Sequence, residues 1–434
     1  MNGVRWKLSV MMFLEFFIWG AWLPLIFAYL PALGFSTWEQ GWILAAFNIA
    51  AILAMFFSTQ FADRNFAAER FMAFSHLVGG IAIISLTEVT TFLPFLGLML
   101  LHCLFYVPTM SIVNSIAFAN LKDPQNDFGK IRLWGTIGWI AASVPFVFIM
   151  VNWDVVPSLE TVGFIDWLGT ALGSAKEGDA ALRATKYTFL TAGIASLLLA
   201  AFSLLLPHTP PRPAASGENK FAWLEASRFL KVGFILVLFV VTLLDATVHQ
   251  SYFVFADRFY TSASIDIKKN WVMPVMSIGQ IAEIATMACL GLVLKRLGWR
   301  YTMLLGILGH AVRFGLYAFV PVWYVAIAAN VLHGICYAFF FATVYIFVDE
   351  FLPKDARSSA QGLFNLLILG VGPLIANLVG PHLIDYFTTT EGTTKHIDFQ
   401  SLFQIPMWIA IAAALLLLLF FHPPAKKVPD KVGH

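Results

Sequence analysis

Charged residues are scarce in this chain: only 12% of its 434 residues are Asp, Glu, Lys or Arg, whereas 59% are hydrophobic. Soluble globular domains carry about 25% charged residues. A water-soluble fold of this length has too little interior to bury so much apolar surface. The composition therefore excludes a soluble enzyme and predicts that lipid is the solvent for most of the chain.

The chain also lacks the residues that most enzymes and metalloproteins need. Its three cysteines, Cys103, Cys289 and Cys336, fall in apolar stretches, so neither a disulfide framework nor a metal site is expected. We find no HExxH, GxSxG or P-loop motif, and we therefore predict no catalytic residues, no metal, no cofactor and no use of ATP. The net charge of +2 is too small to indicate a nucleic acid partner.

What the sequence does contain is long apolar runs. About twelve of them have the roughly 20 residues that a helix needs to cross a bilayer. We predict an all-α membrane protein with twelve transmembrane helices in two six-helix halves. The expected divisions are an N-terminal half (1–206), a cytoplasmic linker rich in Pro, Ala and Ser (207–229), a C-terminal half (230–422) and a cytoplasmic tail (423–434).

The distribution of basic residues predicts the orientation of these helices. Lys and Arg are enriched in the connections that share one side with the N-terminus, and cytoplasmic connections carry this excess. We therefore expect both termini in the cytoplasm. A bundle of two halves joined by a polar linker is typical of secondary transporters, whose substrate site lies near the midplane between the halves.

Several short sequences resemble known transporters. The segment Gly291–Arg300 resembles the G-x-x-x-D-R-x-G-R-R loop of the major facilitator superfamily, with Lys295 in place of Asp. Five further segments resemble the nucleoside:H⁺ symporter family of that superfamily: Trp19-Gly-Ala-Trp22, Tyr106-Val-Pro108-Thr109, Ile131-Arg132-Leu-Trp-Gly135-Thr136-Ile-Gly138, Gln280-Ile-Ala-Glu283 and Ser359-Ala-Gln361-Gly362. This resemblance implies uptake of nucleosides driven by inward proton flow.

The same resemblance sets the expected surroundings of the protein. It implies a multi-pass protein of a bacterial inner membrane, with the nucleoside, protons and the lipid bilayer as partners, and we expect a monomer. The proton gradient would supply the free energy. A proton-coupled transporter of sugars or of another small polar solute is the alternative, because the same kinds of polar side chain would serve it.

Polar residues of the fifth predicted span form a candidate binding face. Arg132, Thr136 and Trp139 are spaced i, i+4 and i+7 and so share one side of a helix. The resemblance implies that this face binds the nucleoside. The alternative is that Arg132 extends to the cytoplasmic surface, since Lys130 marks the edge of the span.

The eighth predicted span carries Gln280 and Glu283, spaced i, i+3 on one face. A carboxylate beside an amide suits the vicinal hydroxyls of a ribose. The resemblance implies that both residues contact the substrate, and Glu283 is also a candidate for carrying the proton. The alternative is a buried pair that satisfies neighbouring helices.

The seventh predicted span carries a carboxylate, a histidine and two possible ligand contacts. Gln250 matches a substrate-contacting position of the family, and Phe253 would stack on a base where some relatives carry Asn. Asp245 and His249 are spaced i, i+4 and either relay protons or form a neutralised pair.

The tenth predicted span presents His333 and Tyr337 at i, i+4, and the resemblance places them at aromatic ligand positions. Directly after Tyr337 the sequence differs from its family, because relatives commonly carry Asp where this chain has Ala338. Proton coupling here must then use another carboxylate, or it is impaired. The candidates are Glu283, Asp245 and Glu15.

Two further groups complete the predictions. Glu15, Trp19 and Trp22 form an i, i+4, i+7 stripe that lines the cavity or holds helices together. Charged residues of the inner loops suit ion pairs that gate the outward-facing state, although a solvated loop is the alternative. These gating candidates are Asp63, Arg64, Asp349 and Arg357.

Overall fold

The structure is a computed structural model that describes residues 2–54, 65–211, 227–352, 357–392 and 394–423. The gating candidates Asp63 and Arg64 lie outside these ranges, as do most of the predicted linker and most of the predicted tail. The backbone of Arg357 is described, but its side chain is not.

Helices account for most of the described chain. Numbered in chain order, the α-helices are α1 (Asn2–Ala32), α2 (Thr37–Leu53), α3 (Ala68–Ser85), α4 (Phe92–Asn120), α5 (Pro124–Ala141), α6 (Val144–Ile149), α7 (Phe164–Gly173), α8 (Gly178–Thr185), α9 (Tyr187–Ser203), α10 (Gly233–Tyr260), α11 (Val272–Phe319), α12 (Trp323–Ala328), α13 (Val331–Cys336), α14 (Thr343–Phe351), α15 (Arg357–Asn365), α16 (Gly372–Tyr386) and α17 (Phe399–Phe420). Short 3₁₀ turns cover Leu86–Glu88, Trp153–Val155, Arg228–Lys231 and Lys269–Trp271.

Ten helical segments of the described residues are long and apolar enough to cross a membrane. One of them, Lys269–Phe319, is 51 residues long and contains a non-helical Gly298, whose φ of 71° bends the chain there. Glycine populates this positive φ readily because it has no Cβ. The prediction of a helical membrane protein is confirmed at this level.

A small β-hairpin departs from the all-α prediction. Strands β1 (Thr388–Glu391) and β2 (Thr394–Ile397) pair antiparallel, with Thr388 opposite Ile397. The run of β-branched threonines favours strands, and Gly392 takes a positive φ of 63° in the turn. Asp398 then caps α17, and its hydrogen bonds from Ser401 lower the pKa of the Asp398 carboxyl.

The chain divides into two compact units. Unit 1 contains Met1–Pro213 and Phe255–Ser277, and unit 2 contains Ala214–Val254 and Ile278–His434. The predicted boundaries of the two halves, at residues 206 and 230, stay predictions.

Close helix packing in unit 1 depends on glycine. A Cβ at Gly138 on α5 would clash with the backbone of Phe13 on α1, and a Cβ at Gly20 would lie 2.9 Å from the carbonyl oxygen of Trp139. Without side chains at these points, the two backbones approach closely, as is common for small residues between membrane helices. The contact brings the predicted binding face of α5 against α1.

Hydrogen bonds connect the segment Phe255–Ser277 to the rest of unit 1. The guanidinium of Arg258 donates to the carbonyl oxygen of Phe27 at 3.1 Å and to the side-chain oxygen of Gln40 at 3.3 Å. Asn270 and Trp271 both donate to the carbonyl oxygen of Leu172, each at 3.0 Å.

In unit 2, the helices that carry the candidate site also meet at a glycine. A Cβ at Gly334 on α13 would clash with the backbone of Ala282 and Glu283 on α11. Directly after α13, Tyr337–Ala342 forms a wide π-helical turn, and Leu366–Val371 forms another between α15 and α16. Such turns occur often at functional sites.

The Gly334 contact generates a testable prediction about stability. Replacing Gly334 with Val would force α11 and α13 apart, and overpacking of this kind typically costs about 1–3 kcal/mol. We expect Gly334→Val to lower the melting temperature of the purified protein in detergent. Gly291→Val is the matched control, because Gly291 lies on α11 with open space around its Cβ position. Equal melting temperatures for the two variants would contradict the packing described here.

Candidate functional site

A line of buried polar side chains runs between helices of unit 2. The Oδ1 atom of Asp245 on α10 lies 2.9 Å from Nδ1 of His310 on α11. The Nε2 atom of His310 lies 3.2 Å from Nδ1 of His249, one turn after Asp245 on α10. Asp245 and His310 are both fully buried. The predicted contact between Asp245 and His249 is therefore mediated by His310.

A second part of this line contains the predicted ligand residues His333 and Gln280. The Nδ1 atom of His333 lies 2.9 Å from a terminal guanidinium nitrogen of Arg313, and its Nε2 atom lies 3.4 Å from the side-chain nitrogen of Gln280. Arg313 is fully buried, and its guanidinium carbon lies 4.3 Å from the ring centroid of Tyr252. The ring thus offers a cation–π contact to a charge that is costly inside a membrane.

Aromatic rings surround His249 and His333. The ring centroids of His249 and His333 are 4.7 Å apart, and that of Phe253 lies 5.9 Å from His249 and 5.7 Å from His333. The ring of Tyr337 lies 6.4 Å from that of His249. The structure therefore brings four of the predicted ligand residues of unit 2 together: Phe253, Gln280, His333 and Tyr337.

The other two predicted ligand residues of unit 2 lie on the same helices. The amide of Gln250 on α10 donates to the side-chain oxygen of Asn377 on α16 at 3.0 Å. Glu283 is half-buried, one helical turn after Gln280, where α11 packs against Gly334. Their contact with a nucleoside stays a prediction.

Sequence reasoning missed His310 and Asn377. Both are polar residues within long apolar runs, and this costly placement was the one signal that could have found them. Arg313, three residues after His310, is a charged residue within an apolar run, but its partner on another helix cannot be inferred from spacing. Contacts between different helices leave no periodic trace in the sequence.

In unit 1, the predicted binding face of α5 packs on α1. The guanidinium carbon of Arg132 lies 4.1 Å from the ring centroid of Phe16, and the ring of Trp139 meets that of Trp19 edge to face at 5.1 Å. Thr136 lies between Arg132 and Trp139 on the same face and is half-buried. The role of these three residues in binding stays a prediction.

Glu15 is the centre of a separate polar network in unit 1. One carboxylate oxygen accepts a hydrogen bond from Thr109 at 2.8 Å, and the other lies 2.9 Å from Nε2 of His76. The hydroxyl of Tyr106 donates to the backbone carbonyl of Glu15 at 2.6 Å, and His76 Nδ1 lies 3.1 Å from the hydroxyl of Ser196. The network joins α1, α3, α4 and α9, as the alternative of polar contacts between helices would require. A role for Glu15 in proton coupling stays a prediction.

Of the four gating candidates, the structure describes Asp349 and the backbone of Arg357. Asp349 is exposed near the end of α14, and Arg357 begins α15. Gating by these residues stays a prediction. Within the part of the chain that the structure describes, no group of three or more His, Cys, Asp and Glu side chains is arranged to hold a metal ion.

The sequence of this chain is similar to those of known transporters. The model of the family described as "Nucleoside H+ symporter" matches residues 1–165 and 153–426. The putative nucleoside transporter YegT of Escherichia coli (strain K12) is 34% identical over 380 residues, covering 86% of this chain and 83% of that protein. The nucleoside permease NupG of the same organism is 26% identical over 424 residues, covering 93% and 92%.

Solved structures share the fold of this chain. The crystal structure of the nucleoside transporter NupG matches with a TM-score of 0.78 at 24% identity, covering 98% of this chain and 100% of that one. A D-xylose-proton symporter matches with a TM-score of 0.67 at 14% identity, covering 96% and 97%. Because the family model spans nearly the whole chain and one relative is 34% identical over 86% of it, the protein belongs to the nucleoside H⁺ symporter family, a family of membrane transporters and not of enzymes.

Proposed function

We propose that this protein carries nucleosides into the cell together with protons. The observation that supports this most directly is the family match over residues 1–165 and 153–426, together with relatives named as nucleoside transporters. The polar residues buried in the apolar helices of unit 2 add a physical reason. Such groups are costly in a membrane and are retained mainly where they bind a polar solute, an ion or one another.

The C-terminal ligand residues suit the parts of a nucleoside. Gln280 and Glu283 would hydrogen-bond the ribose hydroxyls, because a carboxylate accepts from two hydroxyls and an amide both donates and accepts. Phe253 and Tyr337 offer ring faces for the base, and stacking of this kind is worth roughly 1–3 kcal/mol per base in nucleic acid complexes. Gln250, held by Asn377, and His333, held by Arg313, would fix the orientation.

The N-terminal half would supply the remaining contacts. Arg132, Thr136 and Trp139 present a cation, a hydroxyl and an indole ring on one face of α5. The packing of Arg132 on Phe16 and of Trp139 on Trp19 limits the conformations of both side chains. A side chain that is already ordered loses less conformational entropy when a ligand binds.

The transport cycle would be alternating access between two six-helix halves. Dividing the segment Lys269–Phe319 at Gly298 and adding Thr37–Leu53 to the ten spans gives the twelve helices that this cycle assumes. The protein would act as a monomer in a bacterial inner membrane with both termini in the cytoplasm, and the proton gradient would supply the energy without a cofactor. Ion pairs among Asp63, Arg64, Asp349 and Arg357 would gate the inner side.

The first test is uptake by cells that lack their own nucleoside permeases. Cells that express this protein should accumulate labelled uridine or adenosine, and an uncoupler should abolish accumulation because it removes the proton gradient. Excess hexose should not compete. Uptake that persists with the uncoupler would remove the proton coupling, and competition by hexose would favour a sugar transporter.

The second test concerns Glu283. Hydrogen bonds to a charged group contribute about 1.5–3 kcal/mol, so Glu283→Gln should weaken uridine binding roughly 10- to 100-fold. The measurement is the rise in melting temperature of the purified protein with increasing uridine. Glu391→Gln is the control, because Glu391 is exposed in strand β1. Unchanged affinity in the Glu283 variant would exclude this carboxylate from the binding site.

A further inference from the structure

We propose that the buried pair Asp245–His310 holds the coupling proton, and that His249 passes this proton between the pair and the nucleoside site. This inference rests on the proposed function, since it assigns the proton of a nucleoside symporter to named atoms. In this proposal, a carboxylate on α10 and a histidine on α11 take the role that an Asp at the position of Ala338 would otherwise have.

The surroundings of Asp245 favour a variable proton there. Its side chain is fully buried, its Oδ1 atom contacts His310, and its Oδ2 atom has no hydrogen-bond partner among the residues that the structure describes. An ionised carboxylate with one partner is costly in an apolar interior. Both carboxylate oxygens of Glu15 in unit 1, by contrast, have partners. The free-energy cost of the ionised form is therefore larger for Asp245 than for Glu15, and protonation of Asp245 removes more of it.

In the proton-free state, the hydrogen bonds can point in one direction only. An ionised Asp245 accepts from Nδ1–H of His310, which leaves the lone pair of His310 Nε2 to accept from Nδ1–H of His249. The Nε2 atom of a neutral His249 then carries no proton and is an acceptor. The line therefore ends on a basic nitrogen.

Loading reverses the middle bond. A proton binds Nε2 of His249, and the Nδ1 proton of His249 passes to Nε2 of His310 across the 3.2 Å contact. One proton has entered, and it rests on the Asp245–His310 pair, either as an imidazolium–carboxylate pair or with the Nδ1 proton moved to the carboxyl. His249 is neutral again but now carries its hydrogen on Nε2, so this atom has changed from an acceptor to a donor.

His333 cannot replace His249 in this role. A guanidinium only donates, so His333 Nδ1 must accept from Arg313 and His333 carries its hydrogen on Nε2. That hydrogen requires an acceptor, so we assign the side-chain oxygen of Gln280, and not its nitrogen, to the contact with His333 Nε2. The Gln280 amide group can then donate to a ligand. His333 is thus a positioning residue held in one tautomer by Arg313.

The ionisable groups that face the pair are His249 on α10, Arg313 on α11, and His333 and Cys336 on α13.

The position of His249 explains how proton and nucleoside would be coupled. Its ring lies among Phe253, His333 and Tyr337, the same side chains that would hold the base. A substrate oxygen or nitrogen that accepts a hydrogen bond is favoured only when His249 Nε2 donates. Nucleoside binding therefore favours the loaded pair, and the loaded pair favours nucleoside binding by the same factor.

The test uses the full-length protein in liposomes and two measurements. Uphill accumulation of labelled uridine under a pH gradient requires a bound proton, whereas exchange of internal for external uridine at equal pH requires only binding and alternating access. A gradient of about one pH unit supports about a tenfold accumulation at one proton per nucleoside, because one pH unit corresponds to about 1.4 kcal/mol. The variants are Asp245→Asn, which retains the shape of the side chain, and His310→Gln, which retains a polar hydrogen-bonding group but cannot carry a proton.

We expect both variants to lose the accumulation and to retain exchange that no longer depends on pH between 5 and 8, about the range in which an unperturbed histidine titrates. Asp245→Glu, which keeps a carboxylate, should restore accumulation. His382→Gln is the control, because His382 is an exposed histidine of unit 2.

Accumulation at the level of the unmodified protein in either variant would overturn the proposal while leaving nucleoside symport intact. Loss of exchange together with accumulation in a folded variant would also overturn it, because the pair would then serve binding or structure. Absence of uridine and adenosine transport by the unmodified protein would instead refute the proposed function. If Asp245→Asn does not fold, the His310→Gln variant alone tests the proposal: exchange that still depends on pH would overturn it.

Discussion

The constraint on which this structure depends is that a polar side chain within an apolar bundle must find its partners inside the protein. Water cannot satisfy it there, and an unpaired group costs several kcal/mol. The consequence is that polar residues of this chain occur in linked groups. Glu15 on α1 is hydrogen-bonded to two other helices of unit 1, and Asp245 is linked through His310 to His249 in unit 2.

The two networks differ in how many of their polar atoms have hydrogen-bond partners. In unit 1, both carboxylate oxygens of Glu15 and both ring nitrogens of His76 have hydrogen-bond partners. Within the described part of unit 2, one oxygen of Asp245 and two nitrogens of Arg313 have no hydrogen-bond partner. The unit 1 network joins four helices, and the unit 2 network is the one that we propose changes its protonation state during the cycle.

The sequence predicted those features that lie on a single helix. The apolar runs identified the membrane bundle, and the motifs identified the family. The spacing of Gln280 from Glu283 and of His333 from Tyr337 predicted which residues share a helix face. The same spacing placed Asp245 next to His249, and there it was incomplete, because a residue 61 positions further along the chain lies between them. The short hairpin after α16 was missed because it lies outside the periodic apolar runs.

The π-helical turn at Tyr337–Ala342 affects how this part of the chain can be compared with other sequences and other states. A wide turn of this kind holds one residue more than an ordinary helical turn, and one residue corresponds to about 100° of rotation around the axis. Side chains from Thr343 onward therefore point in directions that ordinary helical spacing from His333 would assign incorrectly. Tightening that turn would rotate α14 relative to α13 by the same angle while the helix stays continuous, and His333 could keep its place while Asp349 turns.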